Sequence, residues 1–283
     1  MSADTSVRAR PGVVRAFAYA WGAAGVAALI GLGILIVAIV WPGLLAPGDP
    51  LAIAPAEAFQ PPSSAHLFGT DESGRDLYTR VVHGAAASAG VGAAATAIGV
   101  GAGLVLGFTA GLGPRWLDAA LSRMIEVLFA LPTLVMALLL VAVAGPGTTA
   151  SVVAIGLATT PGYARMLRTQ VRQVARSGYV EYARLEDVGW FRILLRHIAP
   201  NALWPLVSVA TLGVGQAIVW VSALSFLGLG ALPPSPEWGA MLNAGRVYIG
   251  SAWWLTVFPG LAIVATAAVL TAVGRRLAGG VRA

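Results

Sequence analysis

The side chains that could do acid–base or metal chemistry are few and far apart in this sequence. Serine, aspartate and histidine all occur, as a hydrolase requires, but the three histidines are His66, His83 and His197. Long apolar runs separate the first two from the third, and we expect them on opposite faces of a membrane. A catalytic triad or a three-histidine metal site needs its members together. We therefore predict no catalytic residues, no metal site and no enzymatic activity.

Two residue types are missing altogether. There is no cysteine, which removes a thiol nucleophile, a disulfide framework and a Cys-ligated metal. There is no lysine either, because all eighteen basic residues are arginines. A phosphate-binding loop of the form GxxxxGK[ST] needs its lysine at the terminal phosphates. We predict that this chain binds no cofactor, and that if ATP drives it, a separate subunit binds the nucleotide and Mg²⁺.

The stretch EYARLEDVGW, residues 181–190, carries an unusual density of charge for this chain. Three of its twelve acidic residues lie there together with Arg184. The spacing of Val180, Ala183 and Asp187 predicts a short amphipathic helix. We expect a turn around Gly189 and then a second helix, with Trp190 and Leu194 on one face, that ends near Pro200. Such a helix pair can dock into a groove of a soluble partner.

The elements that position these residues are membrane helices. Hydrophobic residues make up 58% of the chain and charged residues 11%, with a mean hydropathy of +0.80. An apolar helix needs roughly 20 residues to cross a bilayer. Gaps between charged residues predict six spans, and continuous apolar runs argue against the alternating strands of a β-barrel. The six predicted spans are 18–41, 85–111, 117–143, 151–168, 203–229 and 255–274.

The arginines give the orientation. Basic residues accumulate on the cytoplasmic side of bacterial membrane proteins. With the N-terminus inside, fifteen arginines are cytoplasmic, and only Arg75, Arg80 and Arg246 lie outside. We predict that both termini face the cytoplasm. The net charge of +6 then reflects topology, and we expect a lipid bilayer and no nucleic acid as partner.

Polar and small residues within the spans have structural and functional interpretations. Arg123 and Glu126 could form a helix-face pair or line a substrate route. Gln216 could hydrogen-bond to another helix or contact substrate, and the first is favoured. The glycines in GVGAGLVLG, residues 99–107, recur at a spacing of four and predict close helix packing. A dinucleotide site would need a preceding strand, which an apolar span does not supply.

The loop containing EYARLEDVGWFRILLRHIAPNAL resembles the EAA loop of ABC-importer permeases. Glu181, Ala183 and Pro200 match that motif. Tyr182 replaces an alanine, Asp187 replaces the glycine, and Gly189 lies two positions later. Four further segments resemble the second permease of dipeptide, oligopeptide and nickel importers. They are FGTDESGRDLYTR from Phe68, LPTLVMALLLVAVAGPG from Leu131, YARMLRTQV from Tyr163, and LSFLGLGALPPSPEWGAML from Leu224.

The resemblance implies an all-α type I importer subunit in the bacterial inner membrane. Its implied partners are a homologous second permease in a heterodimer, two ATPase subunits and an extracytoplasmic binding protein that delivers di- or oligopeptides. A nickel-chelate importer is the runner-up, and an uncoupled channel or membrane anchor is the alternative of another class. The residues implied in ATPase coupling are Glu181, Tyr182, Ala183, Arg184, Asp187, Gly189 and Trp190.

The predicted organisation follows the loops and the resemblance. An N-terminal tail (1–17) precedes the first helix (18–41) and an extracytoplasmic loop region (42–80). A type-1 transmembrane core of five helices spans 81–275, with the EAA loop at about 169–200 and a second extracytoplasmic loop at about 231–254. A cytoplasmic tail (276–283) follows.

Overall fold

A computed structural model describes the backbone of residues 13–279 and the side chains of residues 25–277. This part of the chain is almost entirely helical, which confirms the predicted all-α membrane class. The predicted tails at 1–17 and 276–283 lie mostly outside the described residues. The α-helices, in chain order, are α1 (Val13–Val40), α2 (Pro42–Leu45), α3 (Leu77–Leu112), α4 (Arg115–Phe129), α5 (Thr133–Ala144), α6 (Thr148–Ala175), α7 (Gly178–Leu185), α8 (Trp190–Ile193), α9 (Ala199–Phe226), α10 (Trp238–Gly245) and α11 (Trp254–Gly279).

The six-span count is confirmed only in part. By length and composition, three helical stretches of the described chain can cross a membrane: Leu77–Leu112, Trp190–Phe226 and Trp254–Leu277. The pair α4 and α5 makes a fourth if it is counted as one bent span. The described apolar part of α1 is shorter, Gly25–Val40, and α6 carries three arginines in its last three turns.

The predicted single helix over 117–143 is wrong. The chain bends by 93° between α4 and α5, at Ala130-Leu131-Pro132. Pro132 has no amide hydrogen for a helix bond, and its ring disfavours helical geometry at the residue before it. Pro132 instead takes an extended ψ of 128° and starts α5.

The predicted helix end near Pro200 is also wrong. α8 continues through a π-helical turn, Leu194–Ile198, directly into α9, and the combined helix spans Trp190–Phe226. In the π turn the amide of Ala199 donates to the carbonyl of Leu194, five residues back. The wider turn lets the helix pass Pro200, which lacks an amide hydrogen, without a break.

The predicted glycine packing is confirmed, and it joins α3 to α6. A Cβ placed on Gly99 would lie 2.5 Å from the Oγ1 of Thr159, and one on Gly103 would lie 2.6 Å from the Cβ of Tyr163. One on Gly107 would lie 2.8 Å from the Cβ of Leu167. These distances leave no room for a side chain. The two helices therefore run side by side in parallel along their length.

At the N-terminal end of α3, residues 41–76 and 227–253 fold together into an ordered layer that we call the cap. Its centre is a buried ionic cluster in which the Oδ2 of Asp71 lies 2.7 Å from the Nε of Arg75 and 3.5 Å from the Nε of Arg80. The Arg80 guanidinium also donates to the carbonyls of Pro50 and Pro234. Charges that are buried in this way require such partners.

The cap is closed by contacts between residues that are distant in sequence. The indole Nε1 of Trp238 donates to the carbonyl of Val81 at 2.8 Å, and that of Trp254 donates to the carbonyl of Thr70 at 3.1 Å. The buried carboxylate of Glu237 caps α10 by accepting from the amides of Gly239 and Ala240. The cap therefore fixes α3, α10 and α11 relative to one another.

Candidate functional site

The α7–α8 segment, residues 177–193, lies at the end of α6, at the opposite end of α3 from the cap. Val180 and Ala183 point inward and are buried, as the predicted amphipathic pattern requires. They join an apolar cluster that connects this segment to α6 and to the helix that continues into α9. The buried members of the cluster are Leu167, Val171, Val180, Ala183, Ile193, Ile198, Ala202 and Leu206.

The opposite face of α7 is exposed and mixed in character. Glu181 and Arg184 are exposed, Tyr182 is 63% exposed and Leu185 is 80% exposed. Within the described part of the chain, Glu181, Glu186 and Asp187 form no ion pair. Large apolar side chains that stay exposed together on one small surface are typical of a protein-docking site.

Asp187 ends α7 in the left-handed region, with a φ of +55°. The amide of Val188 donates to the carbonyl of Ala183 at 3.1 Å, and the amide of Asp187 donates to that of Arg184 at 3.2 Å. These two hydrogen bonds together form a Schellman motif, in which the residue with left-handed geometry is usually glycine. Asp is among the few other residues that adopt this conformation readily. The geometry explains how Asp187 replaces the motif's glycine.

Gly189 and Trp190 form the turn and start the next helix. Gly189 has an ordinary φ of −55°, and its carbonyl accepts from the amides of Arg192 and Ile193. The guanidinium carbon of Arg184 lies 5.6 Å from the ring centre of Trp190, which is a cation–π contact across the turn. Glu181 to Trp190 thus form one continuous surface.

Arg123 and Glu126 lie apart from that surface, on α4. The Nη1 of Arg123 is 3.2 Å from the Oε2 of Glu126, and the two side chains are 81% and 59% exposed. The predicted helix-face pair is therefore present. An exposed pair of this kind stabilises little, about 0.2–1 kcal/mol.

α4 is held to α6 by three arginines at helical spacing. The Nε of Arg168 lies 2.6 Å from the Oδ1 of Asp118, and the Nη2 of Arg172 lies 2.5 Å from its Oδ2. One turn earlier, the guanidinium carbon of Arg165 lies 4.5 Å from the ring centre of Phe129. Both ends of α4 are thus fixed to one face of α6.

A recess of about 680 Å³ opens between the α4–α5 bend, α6 and α9. Its walls carry no charged side chain and no histidine. The lining residues are Leu128, Phe129, Ala130, Leu131, Pro132, Thr133, Ala158, Thr159, Gly162, Tyr163, Met166, Val209, Leu212, Gly213, Gln216 and Trp220.

Gln216 lies in this recess. Its side chain is exposed and forms no hydrogen bond with any described residue of this chain. The favoured expectation of a bond to another helix is therefore not met among the described residues. Gln216 instead lines the open volume of the recess.

Sequence reasoning missed Asp118, Arg168, Arg172 and Tyr163 as functional candidates. The spacing of Arg165, Arg168 and Arg172 was a usable signal, since it places three cations on one helix face. Their acidic partner is 50 positions away from Arg168 and had no local signature. Tyr163 lacked any sequence signal beyond its place in the motif starting at that residue.

Comparisons with known proteins agree with these features. The family described as "Binding-protein-dependent transport system inner membrane component" matches residues 103–283. A dipeptide transport system permease protein, DppC, of Alkalihalophilus pseudofirmus is 37% identical over 240 residues, which cover 84% of this chain and 79% of the relative. A di/tripeptide transport system permease protein, DppC, of Pseudomonas aeruginosa is 35% identical over 266 residues, covering 92% and 87%.

A third relative and a solved structure extend the comparison. A probable D,D-dipeptide transport system permease protein, DdpC, of Escherichia coli is 37% identical over 246 residues, covering 87% of this chain and 81% of the relative. An inward-facing structure of the MetNI methionine ABC transporter matches with a TM-score of 0.53 at 18% identity. It covers 68% of this chain and 93% of the matched chain, and shows a shared fold.

Proposed function

The chain belongs to the family of binding-protein-dependent transport system inner membrane components, and from that premise we propose that it forms half of the translocation pathway of an ATP-driven peptide importer. Membership makes it a transport permease subunit and not an enzyme. The family's transporters also contain ATPase subunits, a binding protein and a second permease. We further propose that the second permease is a homologue with which this chain forms a heterodimer. The transported molecule is a di- or oligopeptide.

One observation carries the proposal: the α7–α8 segment is exposed on one face and packed firmly on the other. Its inner face rests on a cluster shared with α6 and α9, the same two helices that line the recess. A partner that moves the segment therefore moves two walls of the recess. This continuity is what coupling between an ATPase and a transport pathway requires.

The exposed face supplies the features of a docking surface. Tyr182 and Leu185 offer apolar contact area, and Glu181 offers an acid that has no basic partner among the described residues. Desolvated aromatic and apolar anchors commonly supply most binding energy in an interface, and charges add specificity and speed of association. We propose that this face docks on an ATPase subunit that binds ATP and Mg²⁺.

Location and orientation form part of the proposal. The membrane helices and the family place the chain in a bacterial inner membrane as a multi-pass protein. We propose that both termini and the α7–α8 segment face the cytoplasm and that the cap faces outward. The clustering of arginines at the α7–α8 end supports this orientation.

The test uses charge reversal at the docking face. Glu181→Lys in the complete reconstituted complex is expected to lower ATP-dependent dipeptide uptake and substrate-stimulated ATP hydrolysis by about tenfold, the factor for 1.4 kcal/mol of binding free energy. Asp49→Lys, an exposed reversal in the cap, is the matched control for membrane insertion. Unchanged uptake by Glu181→Lys would overturn the coupling role.

The same assay separates the competing functions. Uptake that continues without ATPase subunits would indicate an uncoupled channel. ATP-dependent uptake of a nickel chelate with no peptide uptake would indicate the metal importer. The described residues hold no group of three His, Cys, Asp or Glu side chains that could bind a metal ion, so nothing observed favours the nickel assignment.

A further inference from the structure

The recess between α6 and α9 has a size suited to a small molecule. Its volume of about 680 Å³ lies within the 300–1,000 Å³ that is common for ligand pockets. Such pockets are mainly apolar and use a few placed polar groups to orient the ligand. Five side chains of its lining carry a polar group: Thr133, Thr159, Tyr163, Gln216 and, through its indole N–H, Trp220.

Tyr163 is the polar group whose position is most strongly fixed. Its Cβ packs against Gly103 and its ring edge against Gly99, where an added Cβ would lie 2.6 and 3.2 Å away respectively. Its hydroxyl lies over Gly213 of α9, where an added Cβ would approach to 2.0 Å. Glycines on two helices thus hold the ring between α3 and α9.

The hydroxyl that this packing orients has no hydrogen-bond partner among the described residues. Tyr163 forms no hydrogen bond with any described residue, although every fully buried polar side-chain atom of that part of the chain has one. Its oxygen is therefore not fully buried, and Tyr163 is one of the residues that line the recess. Thr159 differs, because its hydroxyl already donates to backbone carbonyls of its own helix, those of Ile155 and Gly156.

Gln216 follows Gly213 by three residues, so it lies next to it on the same face of α9. Its amide offers both a donor and an acceptor, as does the Tyr163 hydroxyl. Two such groups in a charge-free wall suit a ligand with neutral donors and acceptors. A peptide bond, with one N–H and one C=O, has this chemistry.

We propose that Tyr163 and Gln216 form a hydrogen-bonding site for the backbone of a peptide in transit, independent of its side chains. This inference rests on the proposed peptide-import function and adds the part of the cargo that the pathway recognises. Because the wall carries no charge, it gives no preference to acidic or basic side chains. Contact with the backbone serves peptides of many sequences equally.

The experiment replaces each polar group by its apolar counterpart. Tyr163→Phe keeps the ring between the glycines, and Gln216→Leu keeps similar volume. Met166→Leu, another recess residue, is the matched control. Each is assayed in the complete reconstituted complex with saturating binding protein, using dialanine and its ester analogue, in which oxygen replaces the peptide N–H.

Wild-type complex is expected to import dialanine faster than the ester, because the ester lacks a donor. A lost neutral hydrogen bond of about 0.5–1.5 kcal/mol corresponds to about a 2- to 12-fold change. Gln216→Leu or Tyr163→Phe should lower dialanine uptake by that factor and bring the dialanine-to-ester ratio closer to one. Met166→Leu should leave the ratio unchanged. Comparing the ratio between variants cancels any preference of the binding protein.

Three results would overturn the inference. Unchanged uptake and an unchanged ratio in both variants would show that the groups do not contact the backbone. Equal loss for dialanine and ester in both variants would indicate a packing role, because the ester lacks only the N–H and one of the two groups must accept from it. Failure of Gln216→Leu to co-purify with the second permease would show that Gln216 contacts that subunit. In each case wild-type, ATP-dependent dialanine uptake would still stand, so failure of the inference is distinct from failure of the proposed function.

Discussion

In the cap, the carboxylate of Asp71 is buried against two arginines, whereas at the other end of the helices the carboxylates of Glu181 and Glu186 are exposed. Both regions connect membrane helices and both are rich in charge. The cap satisfies its charges within the chain. The acids of the α7–α8 segment form no ion pair with the part of the chain that the structure describes, and only the apolar inner face of the segment is packed.

The cap and the α7–α8 segment use charged side chains for different purposes. A buried ion pair contributes to a unique arrangement but is costly if one partner is removed. An exposed charge adds little to folding and stays available for another protein. Changes in the cap should therefore alter stability, and changes on α7 should alter partner binding.

The largest expected effect is at Asp71. Asp71→Asn keeps the shape but leaves the buried Arg80 without its anion and Arg75 with only Glu72, which should destabilise the folded protein by about 3–5 kcal/mol. Thermal unfolding of the purified chain in detergent measures this effect. Glu72→Gln is the control, since Glu72 is more exposed and contacts only Arg75. Equal unfolding temperatures for the two variants would contradict the assigned role of the cluster.

An intermediate effect is expected at Asp118, which joins α4 to α6. Asp118→Asn weakens charge-assisted bonds to Arg168 and Arg172 and should cost about 1–3 kcal/mol, because the group is only partly shielded from water. Faster amide hydrogen exchange in α4 is the expected observation. The exposed Glu126→Gln on the same helix should change exchange little. If both variants behave alike, the arginine contacts do not hold α4.

The smallest effect is expected at Asp187, within the α7–α8 segment. Asp187→Gly removes the steric cost of a left-handed side chain and should stabilise the end of α7 by up to about 1 kcal/mol. Asp187→Val should destabilise it by about 1–2 kcal/mol, since a β-branched residue fits this region poorly. Hydrogen exchange of the Val188 amide measures both changes. A glycine variant that exchanges faster than wild type would refute the Schellman assignment.

The sequence predicted the features that depend on local pattern. Apolar runs predicted the helices, glycines at a spacing of four predicted a close helix contact, and Val180 with Ala183 predicted the buried face of α7. Each of these patterns repeats within a few residues. Helical geometry alone converts them into a surface.

Features set by tertiary context were not predictable in this way. Pro132 breaks a helix, whereas Pro161, Pro205 and Pro259 lie inside helices. The residue type is the same, and the surrounding packing decides whether the helix continues. Likewise, the partners of Asp71 lie within ten residues, but Asp118 finds its partners 50 positions away. The recess depends on three separate elements and has no signature in any one of them.

The long-range contacts of the cap also set an order of events during synthesis. Arg80 cannot donate to the carbonyl of Pro234 until Pro234 has been synthesised. The carbonyl of Thr70 likewise gains its donor only when Trp254, 184 positions later, has been added. At roughly 5–20 residues per second, that interval is about 10–40 s. During this time the first half of the cap is already made but its closing partners have not left the ribosome. A chain truncated before α11 would lack the bond from Trp254 to Thr70, so this contact distinguishes longer from truncated translation products.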